Sequence, residues 1–216
     1  MAINLQTLVS LVQNLVPARD GVPDNAGYEQ AVQAAVMDCN RRCPGLAFGT
    51  LALVAGVAGY ALPADCLKIV RLSPADGYYA GLLVTADGLA PVSSASVLPR
   101  WTVQDGRLVF QTAPLMNCRV DLVYQSGHVL VEGGYPHMDG ETVQLVALKA
   151  QAEALMMQAN RLAAEAWQYQ IGQERVSKEK LAAEVRAQAQ AQEERYVQAV
   201  ARRIGAVGGW GHAYQQ

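Results

Sequence analysis

The sequence predicts an α+β protein: a helical bundle with long C-terminal helices and a small antiparallel β-domain, a sandwich or barrel, inserted into it. Three observations lead there. Residues 144–203 contain no Pro and one Gly, and are dominated by Ala, Gln, Glu, Leu, Arg and Lys, the residues that lose least on entering a helix. The first 47 residues carry two short helical patterns. Between them, residues 48–131 change to Gly, Pro, Val, Leu, Thr and Tyr in short runs broken by turn signals.

In chain order, Leu5, Leu8, Val9, Leu11, Val12 and Leu15 recur at helical spacing after Asn4, a good N-cap, and Pro17 follows the pattern. ARDGVPDN is a loop. Asp24 or Asn25 caps a second helix that gathers Tyr28, Ala31, Val32, Ala35, Val36 and Cys39 on one face and stops at Cys43-Pro44-Gly45. The β-domain then reads as strands at Leu51–Val57, Cys66–Leu72, Gly81–Thr85, Arg107–Gln111 and Arg119–Tyr124, with Asp105-Gly106 as a hairpin turn. VEGGYPHMDGE links to a third helix capped by Asp139 and running to about Gln170. Its apolar positions, Val143, Val146, Ala150, Leu155, Met156, Leu162, Ala163, Ala166 and Trp167, occupy more than one stripe, so much of its circumference is expected to be buried. As a single rod, the whole helical stretch would span on the order of 90 Å. A break is therefore expected at Ile171-Gly172, followed by an amphipathic helix to Arg203. The domain boundaries on this reading are 1–47, 48–131, 139–203 and a flexible tail, 204–216, rich in Gly.

Composition removes several functions. A net charge of −2 supplies no basic field to hold nucleic acid by bulk electrostatics. No run approaches the ~20 apolar residues of a membrane span. The first residues lack the basic start of a secretion signal, so cytosolic folding with free thiols is expected for Cys39, Cys43, Cys66 and Cys118. At 51% apolar and 17% charged residues, the chain is rich enough in hydrophobic surface to hide some of it in an oligomer.

Chemistry is sparse. Cys39 and Cys43 share a helix end, but no second pair of ligands at matching spacing completes a zinc site. His128, His137, Glu132 and Asp139 cluster in a Gly- and Pro-containing linker whose spacing imposes no geometry. Asp76, Asp87 and Asp105 each precede a Gly, as turn residues do. Arg41-Arg42 and Arg202-Arg203 close helices, where positive charge complements the dipole. No P-loop, nucleophile elbow, metalloprotease or dinucleotide motif is present. No catalytic, cofactor or metal residue is assigned. Trp210 and Tyr214 stand out in the Gly-rich tail: they either pack back on the chain or dock on a partner.

The segment GYALPADCLKIVRL, with Tyr60, Leu62, Pro63 and Asp65, resembles a segment of tailed-phage head–tail connector (adaptor) proteins, including podovirus adaptors and the tail tubular protein A type. Physically it is a strand end, a corner set by Pro63, and a new strand. The order of helices, β-insertion, long helices and tail is similar to that family as well. The resemblance implies a non-enzymatic virion protein at the head–tail junction, made in the host cytoplasm. It implies a homo-oligomeric ring of about twelve copies beneath the portal protein. The ring would join the portal to a tail tube, nozzle or head-closure protein and pass double-stranded DNA without reading its sequence. Trp210, His212 and Tyr214 would then be portal-docking residues. Leu181, Val185, Gln188, Ala189, Gln192 and Tyr196, in and around the Gln/Ala-rich run 187–192, would contact neighbouring subunits. The alternatives are a head-closure or tail-completion protein, expected to be a smaller β-barrel without the long helices, and a tail-associated hydrolase, expected to gather polar residues in the β-domain.

Overall fold

The computed structural model describes residues 3–75, 82–85, 88–91, 98–135, 138–168 and 173–211. Its elements begin with β1 (Ile3–Asn4), α1 (Leu5–Leu15) and α2 (Asn25–Arg42). The strands β2 (Gly45–Leu53), β3 (Gly59–Ala61), β4 (Cys66–Pro74), β5 (Leu82–Thr85), β6 (Gly88–Pro91), β7 (Trp101–Gln104), β8 (Arg107–Phe110), β9 (Cys118–Ser126) and β10 (Gly134–Tyr135) follow. Two long helices, α3 (Gly140–Gln168) and α4 (Gln173–Gly211), complete the chain. This is the α+β arrangement expected, with four helices and small antiparallel sheets. The chain divides into two compact units, Met1–Pro44 with His128–Gln216, and Gly45–Gly127.

In the helical unit each cap does local work. Asn4 accepts from the Gln6 N–H, and of the two residues offered as the cap of α2 it is Asp24 that accepts from the Gly27 N–H, at 2.8 Å, so each satisfies a donor that a helix start leaves unpaired. The buried residues of α2 are Tyr28, Ala31, Val32, Ala35, Val36 and Cys39, the face read from the sequence. They pack with Leu8, Val9 and Val12 of α1, Leu145, Val146, Ala150 and Ala154 of α3, and Tyr196 and Val200 of α4. The Tyr28 hydroxyl donates to the Val16 carbonyl at 2.6 Å, tying α2 to the end of α1. Buried Gln158 donates to the carbonyls of Pro17 and Val22, giving the loop between those helices the partners its backbone needs. Asn40 holds the returning chain with both ends of its amide, accepting from the His128 N–H at 2.8 Å and donating to the His128 carbonyl at 3.2 Å.

The expected break at Ile171-Gly172 lies outside the described residues. On either side, α3 and α4 lie antiparallel. Lys178 bonds Glu165, Lys149 bonds Glu193, and Arg203 bonds Asp139, so partners recede from the connection in step. Ala159 and Leu162 of α3 meet Ala182 and Val185 of α4 in a second cluster. The long helical stretch therefore folds back rather than projecting as a rod. Helix α4 continues past Arg203 to Gly211, further than its apolar pattern indicates.

The β-unit contains two three-stranded sheets, ordered β2-β9-β4 and β3-β8-β7, and the separate hairpin β5-β6. All pairings are antiparallel. Leu53, Ile69, Leu108, Phe110, Val120, Leu122 and Tyr124, drawn from both larger sheets, form one core, which makes this a small sandwich. Asp105 and Gly106 take positive φ, 50° and 70°, as a two-residue hairpin turn requires. Strand β2 starts at Gly45, earlier than the expected Leu51, and β3, β6 and β7 are strands not expected from the sequence.

Candidate functional site

The resemblance segment is a piece of architecture. Tyr60 and Leu62 are half-buried at the end of β3, and the Cys66 N–H bonds the Pro63 carbonyl at 2.9 Å to close the corner. The Tyr60 hydroxyl accepts from the Val54 N–H at 2.9 Å and sits 2.8 Å from the Val57 carbonyl, pinning the turn between β2 and β3. Its ring meets Phe110 edge-on, with centroids 5.9 Å apart. The Asp65 carboxylate accepts from the Tyr124 hydroxyl at 3.2 Å, and its backbone carbonyl accepts from Gly127 N–H. Burial, then the neighbouring Asp65 charge, raises the Tyr124 pKa. These residues hold β3, β4 and β9 together.

The second candidate surface is α4, which the sequence reading assigns to subunit contacts. Val185, Ala189 and Tyr196 are buried inside their own chain. Leu181 and Gln192 are half-buried, and Gln188 is exposed. The three buried residues are consumed by the protomer's own bundle, because the hydrophobic stripe of α4 closes it. The free side of α4 instead carries Ala183, Ala187 and Ala191 at four-residue steps, with Glu194, Gln198 and Gly205 further along, all exposed. That spacing is visible in the sequence, but nothing there says which face the protomer itself consumes. Lys149, Glu153, Met156, Ala189 and Gln190 line a shallow groove beside it. Burial opposes the charge on Lys149, yet bonds to Glu193 and Glu153 outweigh it and raise its pKa.

Where α2 and α3 meet the later part of α4, polar groups are tightly coupled. Arg203 donates to the Thr142 hydroxyl at 2.7 Å and to Asp139 at 3.2 Å, while Asp139 caps α3 by accepting from the Thr142 N–H at 2.6 Å. Burial pulls the Asp139 pKa up, but the Thr142 bonds and Arg203 hold it below the ordinary value. Arg42, placed where positive charge complements the end of α2, pairs with Asp38 at 2.8 Å and lies 6.0 Å from the Tyr196 ring centroid. Gln192 Oε1 is buried with no hydrogen-bond partner among the described residues, and the buried Tyr196 hydroxyl, one turn on, forms no bond of good geometry but interacts with the Asp38 side chain. Burial raises the Tyr196 pKa strongly.

Cys39 and Cys43 bring their sulfurs to 3.4 Å as free, buried thiols. Their shared hydrogen bond lowers Cys43 to about 7, helped by Arg203, and raises Cys39. His128 is held by its backbone, Glu132 takes a positive φ of 49° in a tight turn, and His137 lies outside the described residues. Among the described residues no three His, Cys, Asp or Glu side chains converge as metal ligands. No helix among them is long and apolar enough to cross a membrane. Trp210 falls within α4, and nothing is described of its side chain; His212 and Tyr214 lie outside the described residues.

The described chain is thus a small sandwich and a bundle closed by a long helical hairpin, with Tyr60, Leu62, Pro63 and Asp65 doing structural work at a corner. The chain belongs to the SU10 adaptor protein family, whose model matches residues 3–206. Among solved structures it is similar to a chain described as the neck of an empty GTA particle computed with C6 symmetry. The identity is 16%, covering 80% of this chain and 86% of that one, with a TM-score of 0.25. The comparison with curated proteins finds no match.

Proposed function

We propose that this protein is the structural head–tail adaptor of a tailed bacteriophage particle, forming a closed ring of about twelve copies beneath the portal protein. The observation that carries the reading is the adaptor-family match across both units. The ring joins the portal to the next tail component, a tail tube, nozzle or head-closure protein, and leaves a channel for double-stranded DNA. Near-neutral charge suits a channel that passes DNA without gripping it. Neighbouring subunits meet along the free side of α4, with Gln188 and the exposed Ala183, Ala187 and Ala191, where small side chains let helices approach closely. The end of α4 and the residues after it, with Trp210, His212 and Tyr214, dock on the portal. The role is non-enzymatic and uses no cofactor.

The test is assembly with its cognate portal protein. Mixing should give a closed symmetric complex by mass measurement and imaging, and deleting Val207–Gln216 should lower portal binding at least tenfold. A full-length chain that neither binds the portal nor closes on it overturns the adaptor role. Unchanged binding after the deletion overturns the docking role of the C-terminus.

A further inference from the structure

The sheet β2-β9-β4 treats its two edges differently. At β4 the register slips between Cys66 and Lys68 and again between Ile69 and Arg71. Bulges and outward charges of this kind are how sheets prevent unwanted pairing, and Lys68 and Arg71 are both exposed. Among the described residues the β2 edge has no such protection. Its nine residues pair with β9 without a slip and carry no charge, and Leu46 and Phe48 are 55% and 78% exposed. Alternate residues of such a strand turn both backbone N–H and C=O away from β9, offering a row of groups that another extended backbone satisfies best.

The same chain carries a strand with no described partner beyond its own hairpin. β5 pairs only with β6 among the described strands, and a two-stranded hairpin is marginal in water by itself. Neither strand has a charged residue, unlike β4. The two hairpin edges are unequal: Pro91 deprives β6 of one N–H, whereas every residue of β5 keeps both groups. Four residues of β5 cover roughly 13 Å, close to half of β2 at ~3.3 Å per residue.

We infer that β5 of one copy adds to the free β2 edge of the next, beside Leu46 and Phe48, giving an intermolecular sheet β6-β5-β2-β9-β4. Donor and acceptor surfaces differ, so the contact is head-to-tail and propagates around a ring. The inference deepens the adaptor reading and rests on it for closure and copy number.

Three full-length chains test it by native mass spectrometry across a concentration series. They are the wild type, Leu46→Lys/Phe48→Lys, and a chain with residues 82–91 replaced by Gly/Ser. The lysines sit at exposed positions, and unchanged thermal unfolding shows that the sandwich is intact. The wild type should associate, and each variant alone should lose at least tenfold in association. An equimolar mixture of the two variants should give a heterodimer and nothing larger, because one live edge and one live hairpin remain. A wild type that stays monomeric, either variant associating like the wild type, or a mixture without the heterodimer overturns the inference. If both variants still close into rings on the portal, this contact falls while the adaptor reading stands.

Discussion

Tyr196 shows how a residue's class misleads when its direction is unknown. The resemblance places it among residues for a neighbouring subunit, yet its ring is fully buried against α2 and its hydroxyl forms no bond of good geometry, only an interaction with Asp38. An unsatisfied buried hydroxyl costs about 1–3 kcal/mol of desolvation. Tyr196→Phe should therefore leave stability unchanged or raise it, whereas Tyr196→Ala should cost about 3–5 kcal/mol by emptying the site. Denaturant midpoints of the two variants separate a packing role from a polar one; a large loss in Tyr196→Phe would contradict this account. At Asp139 the polar role dominates. Asp139→Ala removes the α3 cap and the Arg203 partner, and should cost about 1–2 kcal/mol in the same measurement. The caps were legible from sequence because Asn4, Asp24 and Asp139 act on backbone a few residues away. The Arg203 contact was not, because it joins residues on different helices.

At the scale of elements, the α3–α4 pair makes a pH prediction. Asp139 and Glu165 both have lowered pKa values, Glu165 chiefly through its bond to Lys178. Folding favours their charged forms, so their contribution is present above the ordinary carboxylate range and is lost as pH falls through the lowered values. Lys149 is raised, so its contribution is present below the ordinary lysine value and is lost as pH rises through the raised one. The hairpin should weaken below about pH 4 and above about pH 10, with a plateau between. Thermal unfolding followed by helical circular dichroism checks this; a midpoint independent of pH in the acid range would remove these contacts from the account. Helix faces such as that of α2 were legible because one stripe met one core. Strands β3, β6 and β7 were not, because runs of three or four residues show no usable period. The beginning of β2 was hidden behind Pro44-Gly45, a helix stop that also starts a strand.

For the whole molecule, the sequence carries the order of parts and the family resemblance in Tyr60, Leu62, Pro63 and Asp65. It does not carry the division of each helix face between the protomer and its neighbours. Val185 and Ala189 illustrate the reason: an apolar stripe records that something covers it, not whose chain does. The surfaces left over among the described residues, the small-residue side of α4 and the edge of β2, are therefore the ones proposed to meet neighbouring copies. Alanine-to-glutamate changes at Ala187 and Ala191 should spare the monomer's thermal stability to within about 0.5 kcal/mol while reducing ring formation on the portal. Rings that form normally would move the subunit contact off that side of α4.

Asn40 spends both ends of its amide on the backbone of a residue 88 positions later in the chain. One side chain thus makes a doorway through which the β-unit leaves and returns, and each unit has its own core. The β-unit is, in effect, an exchangeable cassette. Replacing Gly45–Gly127 by a short Gly/Ser linker should leave a helical protein that unfolds cooperatively, and Asn40→Ala should harm that shortened chain more than the full-length one. A lineage could then refit the sandwich to new neighbours without solving the helical fold again.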